Sequence, residues 1–148
     1  MTAATTNSDK DKPLQVRLLV VDDDPDNTEV LKLILVNYGF LVDAFTNAEE
    51  ALQKFKSNPQ GYRLVLSDSW MPKLSGIQLA RNVKEINPNV KVLLLTGSEI
   101  IDNEASDVSR TTSVDGFVQK PIGIRELTDK ILSLIDETKG EPSSSFQG

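Results

Sequence analysis

Short apolar runs alternate along the chain with segments whose apolar residues recur at helical spacing. The runs are Val16–Val21, Leu41–Phe45, Leu64–Ser67, Lys91–Thr96 and Gly116–Gln119. Three of them are almost unbroken aliphatic stretches, as expected of strands covered on both faces. Leu31, Ile34, Leu35 and Tyr38 mark a first helix. Ala48, Ala51, Leu52 and Phe55 mark a second, and Ile124, Leu127, Ile131, Leu134 and Ile135 the last; these stripes read as core. Strand and helix patterns in alternation predict an α/β fold with a parallel sheet, built from five βα units.

Local chemistry agrees with these boundaries. Asp24 before Pro25 is a capping acid ahead of a first-turn proline, Ser75 can cap the third helix, and Gly39 stops the first. Between the fourth and fifth strands, Asn103 to Ser113 is crowded with Ser, Thr and Asp, which compete for their own backbone groups. A helix there is expected to be short or mobile. Residues 1–14 and 139–148 are polar and read as flexible tails around a domain spanning 15–138.

The chain has 148 residues, enough for one domain with its own core. No apolar run approaches a membrane span and the N-terminus has no signal-like core, so a soluble, cytoplasmic protein is expected. The absence of cysteine and histidine removes disulfides, thiol catalysis, imidazole bases and histidine metal ligands. A net charge of −6 argues against a nucleic-acid surface. What chemistry remains must use carboxylates, hydroxyls and lysine.

Those groups gather at the carboxyl ends of the strands, where open α/β sheets bind ligands. Strand one runs into Asp22-Asp23-Asp24, strand three ends at Asp68, strand four at Thr96, and strand five leads to Lys120-Pro121. Three adjacent carboxylates repel one another, and a hard divalent cation is the natural compensation. Carboxylate nucleophile, cation, hydroxyl and ammonium together suit phosphoryl transfer to an aspartate, which needs no general base because a carboxylate is already ionised at neutral pH.

The runs Leu18-Leu19-Val20-Val21-Asp22-Asp23-Asp24-Pro25, Leu64-Val65-Leu66-Ser67-Asp68-Ser69-Trp70-Met71-Pro72, Gly76, Leu93-Leu94-Leu95-Thr96-Gly97 and Asp115-Gly116-Phe117-Val118-Gln119-Lys120-Pro121 resemble response-regulator receiver domains. The resemblance covers about residues 14 to 138 and rests on four separate motifs in order. It implies a flavodoxin-like (βα)5 doubly wound sandwich with strand order 2-1-3-4-5. It also implies that Asp68 accepts the phosphoryl group and that Asp23, Asp68 and the backbone carbonyl of Trp70 ligate Mg2+, with Asp22 acting through a metal-bound water. Thr96 and Lys120 are then expected to bind phosphoryl oxygens, Gly97 to leave the approach open, and Lys120–Pro121 to be cis. Phe117 occupies the aromatic switch position, without a tyrosine hydroxyl to tether it. Gly123 stands where relatives often carry a capping Asp or Ser.

By the same resemblance the phosphodonor is a sensor histidine kinase or a histidine phosphotransfer protein. The output is contact with a downstream target protein, by a monomer or a phosphorylation-dependent dimer. The chain reads as a stand-alone regulator of the chemotaxis type and not as an enzyme beyond self-phosphorylation and autodephosphorylation. Trp70 and Ser98 are expected to flank the acceptor and to shield it from water on one side.

Other readings are open to individual residues. Asp68 can be a turn cap, Lys120 a surface lysine, Thr96 a strand terminus, and Trp70 and Phe117 packing residues. An EF-hand fails, since Asn27 stands at its glycine position and Leu33 at its terminal acid. A phosphatase of the haloacid-dehalogenase type expects Thr or Val where Asp26 stands. The rival from another class is a receiver-fold interaction module that signals without phosphate.

Overall fold

The computed structural model describes residues 16–69, 71, 74–97 and 113–136, and 137–146 as backbone only. Its elements are β1 (Arg17–Val21), α1 (Pro25–Tyr38), β2 (Leu41–Phe45), α2 (Ala48–Ser57), β3 (Leu64–Asp68), α3 (Gly76–Ile86), β4 (Lys91–Thr96), β5 (Gly116–Gln119) and α4 (Ile124–Phe146). The helix expected within Asn103 to Ser113 lies almost wholly outside the described residues. Five parallel strands form one sheet in the order β2-β1-β3-β4-β5, as expected.

The central strands are buried on both faces because each is aliphatic at consecutive positions. One layer packs Leu18, Val20, Leu66 and Leu93 against Leu35 of α1 and Leu127 and Ile131 of α4. The other packs Leu19, Val21, Val65 and Leu94 against Phe55 of α2 and Leu79 and Val83 of α3. Each fully buried leucine contributes about 1.5–3 kcal/mol over leaving it exposed, so the two layers hold the sheet.

Capping fixes where the helices begin. The Asp24 side chain accepts from Asp26 N with Pro25 in the first turn, and Ser75 and Gln78 form a reciprocal capping box. Gly39 ends α1 at φ 122°, a conformation that costs other residues a Cβ clash.

Register then levels the strand ends. Val21 pairs with Ser67, so Asp22 and Asp68 emerge side by side; Asp68 pairs with Leu95, and Thr96 with Gln119, the residue before Lys120. The Lys120–Pro121 peptide is cis, as expected.

Several expectations are corrected. Tyr38 and Ile124 do not belong to the core: they are 48% and 57% exposed. Helix α1 carries apolar residues around most of its circumference, with Val30, Leu33 and Val36 also exposed, so only part of its surface can face the sheet. Helix α4 runs to Phe146.

Toward the amino end of the sheet, Arg17 pairs with Asp43, midway along β2, at 3.2 Å, and the Tyr62 hydroxyl donates to the same carboxylate at 2.6 Å. Burial, and then the negative Asp43 it bonds, push the Tyr62 phenol far above its ordinary pKa. A second matched carboxylate, Asp115, accepts from Val92 N and pairs with Lys84, both at 2.8 Å.

Candidate metal and phosphoryl site

Asp22 leaves β1 with nearly every polar atom held. Its N–H donates to Phe45 O at 3.1 Å, and its Oδ1 accepts from Asp24 N at 2.9 Å. Thr28 Oγ1 reaches its carbonyl at 2.7 Å. The remaining oxygen, Oδ2, is buried with no hydrogen-bond partner among the described residues. Lys120 Nζ lies 3.6 Å from it.

Asp68, at the end of β3, is buried, and its Oδ1 lies 3.4 Å from the same Lys120 Nζ. The Asp68 backbone is braced from behind: Ser67 Oγ donates to Asp68 O, and Gly76 N donates to Ser69 O. Gly76 is required by that approach, since a Cβ there would come within 2.5 Å of Asp68 O and 2.9 Å of Ser69 Cα.

Asp23 is exposed at the rim, and one carboxylate oxygen from each of Asp22, Asp23 and Asp68 falls within 4.8 Å of the others. Among the described residues, Lys120 is the ammonium that pairs with both Asp22 and Asp68. The donor set is all oxygen and one buried oxygen lacks a partner, so the residues fit a hard divalent cation. Asp24 is turned away into its cap on Asp26 N.

The expected residues assemble in part. Asp22, Asp23, Asp68, Gly97 and Lys120 line one cavity of about 650 Å3. Thr96 is buried beside it, its hydroxyl 3.4 Å from Val118 O on β5, a long and weak hydrogen bond. Phe117 is 40% exposed and borders a shallow surface depression with Arg125, Glu126, Asp129 and Lys130. Trp70 and Ser98 lie outside the described residues.

Sequence reasoning missed the apolar half of the cavity, formed by Val30, Ile34, Ile122, Ile124 and Leu127. The available signal was the excess of aliphatic residues on α1 beyond one core stripe. It also missed Thr28, which carries no motif.

Comparison with known proteins agrees with this geometry. The response regulator receiver domain family model matches residues 18–132. The CpxR homolog of Haemophilus influenzae, a transcriptional regulatory protein, is 36% identical over 134 residues, covering 88% of this chain and 54% of that protein. The receiver protein CpdR of Brucella abortus is 32% identical over 120 residues, covering 80% of this chain and 96% of that one. The chain therefore spans about half the length of the first relative and nearly all of the second.

Among solved structures, the response regulator TrrA of Thermotoga maritima, determined with Mg2+–BeF, superposes with a TM-score of 0.70 at 37% identity, covering 80% of this chain and 98% of that one. A CheY-like receiver protein of Methanospirillum hungatei gives 0.78 at 30% identity, with 86% and 99% covered. Motif order, sheet topology, acid cluster and these matches agree: the chain belongs to the response regulator receiver domains of two-component signalling.

Proposed function

We propose that Asp68 accepts a phosphoryl group from a sensor histidine kinase or a histidine phosphotransfer protein, and that the phosphorylated chain signals by binding a target protein. The observation that carries this reading is Lys120 Nζ, placed 3.4 Å from Asp68 and 3.6 Å from Asp22 in a cluster of three carboxylates. The compared structure bound to Mg2+–BeF supports Mg2+ as the cation. Asp22, Asp23 and Asp68 supply the side-chain oxygens for it. Bound there, Mg2+ neutralises charge on the transferring group's oxygens.

The chain's own residues do the rest. An Asp68 carboxylate oxygen attacks phosphorus as the bond from phosphorus to the donor nitrogen breaks, and the electron pair returns to the donor imidazole. Lys120 binds a phosphoryl oxygen and compensates the added charge. Thr96 exchanges its long bond to Val118 O for another phosphoryl oxygen, releasing a contact to the strand that carries Phe117. The exposed Phe117 ring then turns inward, altering the β5–α4 face offered to a target. The apolar cavity wall beside the carboxylates supports docking of a protein phosphodonor. We place this exchange in the cytoplasm, with hydrolysis of the acyl phosphate as the chain's only turnover.

Incubation with Mg2+ and acetyl phosphate, read by intact mass, tests the assignment. A phosphoryl adduct is expected on the wild type and not on Asp68→Asn. An adduct that persists on Asp68→Asn moves the acceptor elsewhere. Target affinity that is equal for both proteins, with and without phosphate, selects the phosphate-independent interaction module.

A further inference from the structure

Thr28 sits in the opening turns of α1 and is 7% exposed. Its Oγ1 lies 2.9 Å from Asp24 O and 2.7 Å from Asp22 O. The first contact is the ordinary back-bond of a helical threonine to the carbonyl four residues earlier. The hydroxyl has one proton to share between the two carbonyls, and the shorter contact reaches six residues back, past the helix start, to the residue in which β1 gives way to the acid loop.

The Asp22 carbonyl belongs to a residue that is 1% exposed, and the Thr28 hydroxyl is the one donor it has among the described residues. Its partner at the other side of the residue, the N–H, is fixed to β2 through Phe45 O. Held at both N–H and C=O, Asp22 has a set backbone, and the plane of the Asp22–Asp23 peptide is set with it. That plane determines where both the buried Asp22 carboxylate and the rim Asp23 carboxylate point. The carboxylates repel one another, so the loop needs a tether that does not depend on the cation.

We propose that Thr28 is a positioning residue for the metal site, its hydroxyl fixing the Asp22 carbonyl so that Asp22 and Asp23 meet Asp68 around one cation. This rests on the metal-site reading above. A valine at this position matches threonine in shape and keeps the packing while removing the donor. Groups that orient ligands without touching the metal typically change affinity by about 10–100-fold.

The test is titration of Mg2+ alone into the folded chain by calorimetry, with thermal stability measured separately without Mg2+. Thr28→Val is expected to weaken Mg2+ binding about 10-fold, and Thr28→Ser, which keeps the donor, to restore it to within about twofold. Thr28→Ala carries the same expectation as valine where valine disturbs the packing. A purely structural threonine lowers the melting temperature and leaves the Mg2+ Kd unchanged; that result in a folded Thr28→Val or Thr28→Ala overturns the proposal. Loss of the fold in both also overturns it, since the hydroxyl is then a tie of the whole domain. A wild type that binds no Mg2+ overturns the metal-site reading and this inference together, whereas equal binding by wild type and valine variant overturns this inference alone.

Discussion

Two carboxylate sites, one tied to the amino end of the sheet through Arg17 and Tyr62 and one just past its carboxyl end, are built on opposite terms. Asp43 has a side chain that is 24% exposed, yet it is matched by both Arg17 and the Tyr62 hydroxyl. The Asp22 side chain is 1% exposed, shares the Lys120 ammonium with Asp68, and keeps a buried oxygen with no hydrogen-bond donor among the described residues. Stability alone favours the reverse arrangement, since the deeper charge needs its partners more. The lower site is a fastening. The upper one holds charge that the described protein groups do not neutralise, which marks it as the place where a ligand acts.

Replacing one carboxylate at each end separates the two most strongly. Asp43→Ala should destabilise the domain by about 2–3 kcal/mol in urea unfolding, mainly because the Tyr62 hydroxyl loses its acceptor; the half-exposed ion pair adds little. Mg2+ affinity should be unchanged. A large loss of Mg2+ binding in this variant would join the two ends energetically and break the contrast.

The backbone behind Asp68 is expected to tolerate little change. Gly76→Ala drives a Cβ onto Asp68 O and should cost about 2 kcal/mol. Phosphoryl uptake from acetyl phosphate should slow with it. Wild-type stability and uptake in Gly76→Ala would show that α3 can retreat from the strand end without consequence.

Added cation should act at one end only. At ten times its Kd, Mg2+ should stabilise the wild type by about 1.4 kcal/mol through preferential binding to the folded state. Asp23→Asn should lose most of that gain while being no less stable than the wild type when Mg2+ is absent. Destabilisation of Asp23→Asn without Mg2+ would mean that Asp23 is a fastening like Asp43.

The smallest effect concerns pH. Tyr62→Phe should cost about 1 kcal/mol at neutral pH. The folded phenol's pKa is raised, so the stabilisation is complete below the unfolded value of about 10 and is lost as pH rises above it, where the unfolded chain releases its proton first. Urea midpoints from pH 9 to 11 should therefore fall faster for wild type than for Tyr62→Phe. Parallel curves would place the phenol outside the Asp43 network.

These two ends were not equally legible in the sequence. The acid site could be read because its members terminate strands whose aliphatic runs are unambiguous, and because parallel register levels those ends. The strands themselves differ from expectation by one residue at most, with β3 including Asp68. The Arg17–Asp43–Tyr62 network was not legible: its partners lie 19 and 26 residues from Asp43, and nothing local distinguishes that aspartate from an exposed one. The same holds for Lys84 and Asp115. Ile34 and Ile124 were assigned to the core because periodicity records that a residue is apolar, not which neighbour covers it. Thr28 was passed over for a related reason, since a hydroxyl that serves a neighbour's backbone leaves no spacing to detect.

The strand order also sets a timetable. Asp22 and Asp23 are synthesised first, but Asp68 reaches them only when β3 lies against β1, and Lys120 only after β4 and β5 have been added outward from there. A chain emerging from the ribosome thus lacks the complete set of site residues through most of its length. Lys120 cannot join the three carboxylates until the last strand docks, so on the function proposed above competence to take up phosphate doubles as proof that the sheet is finished.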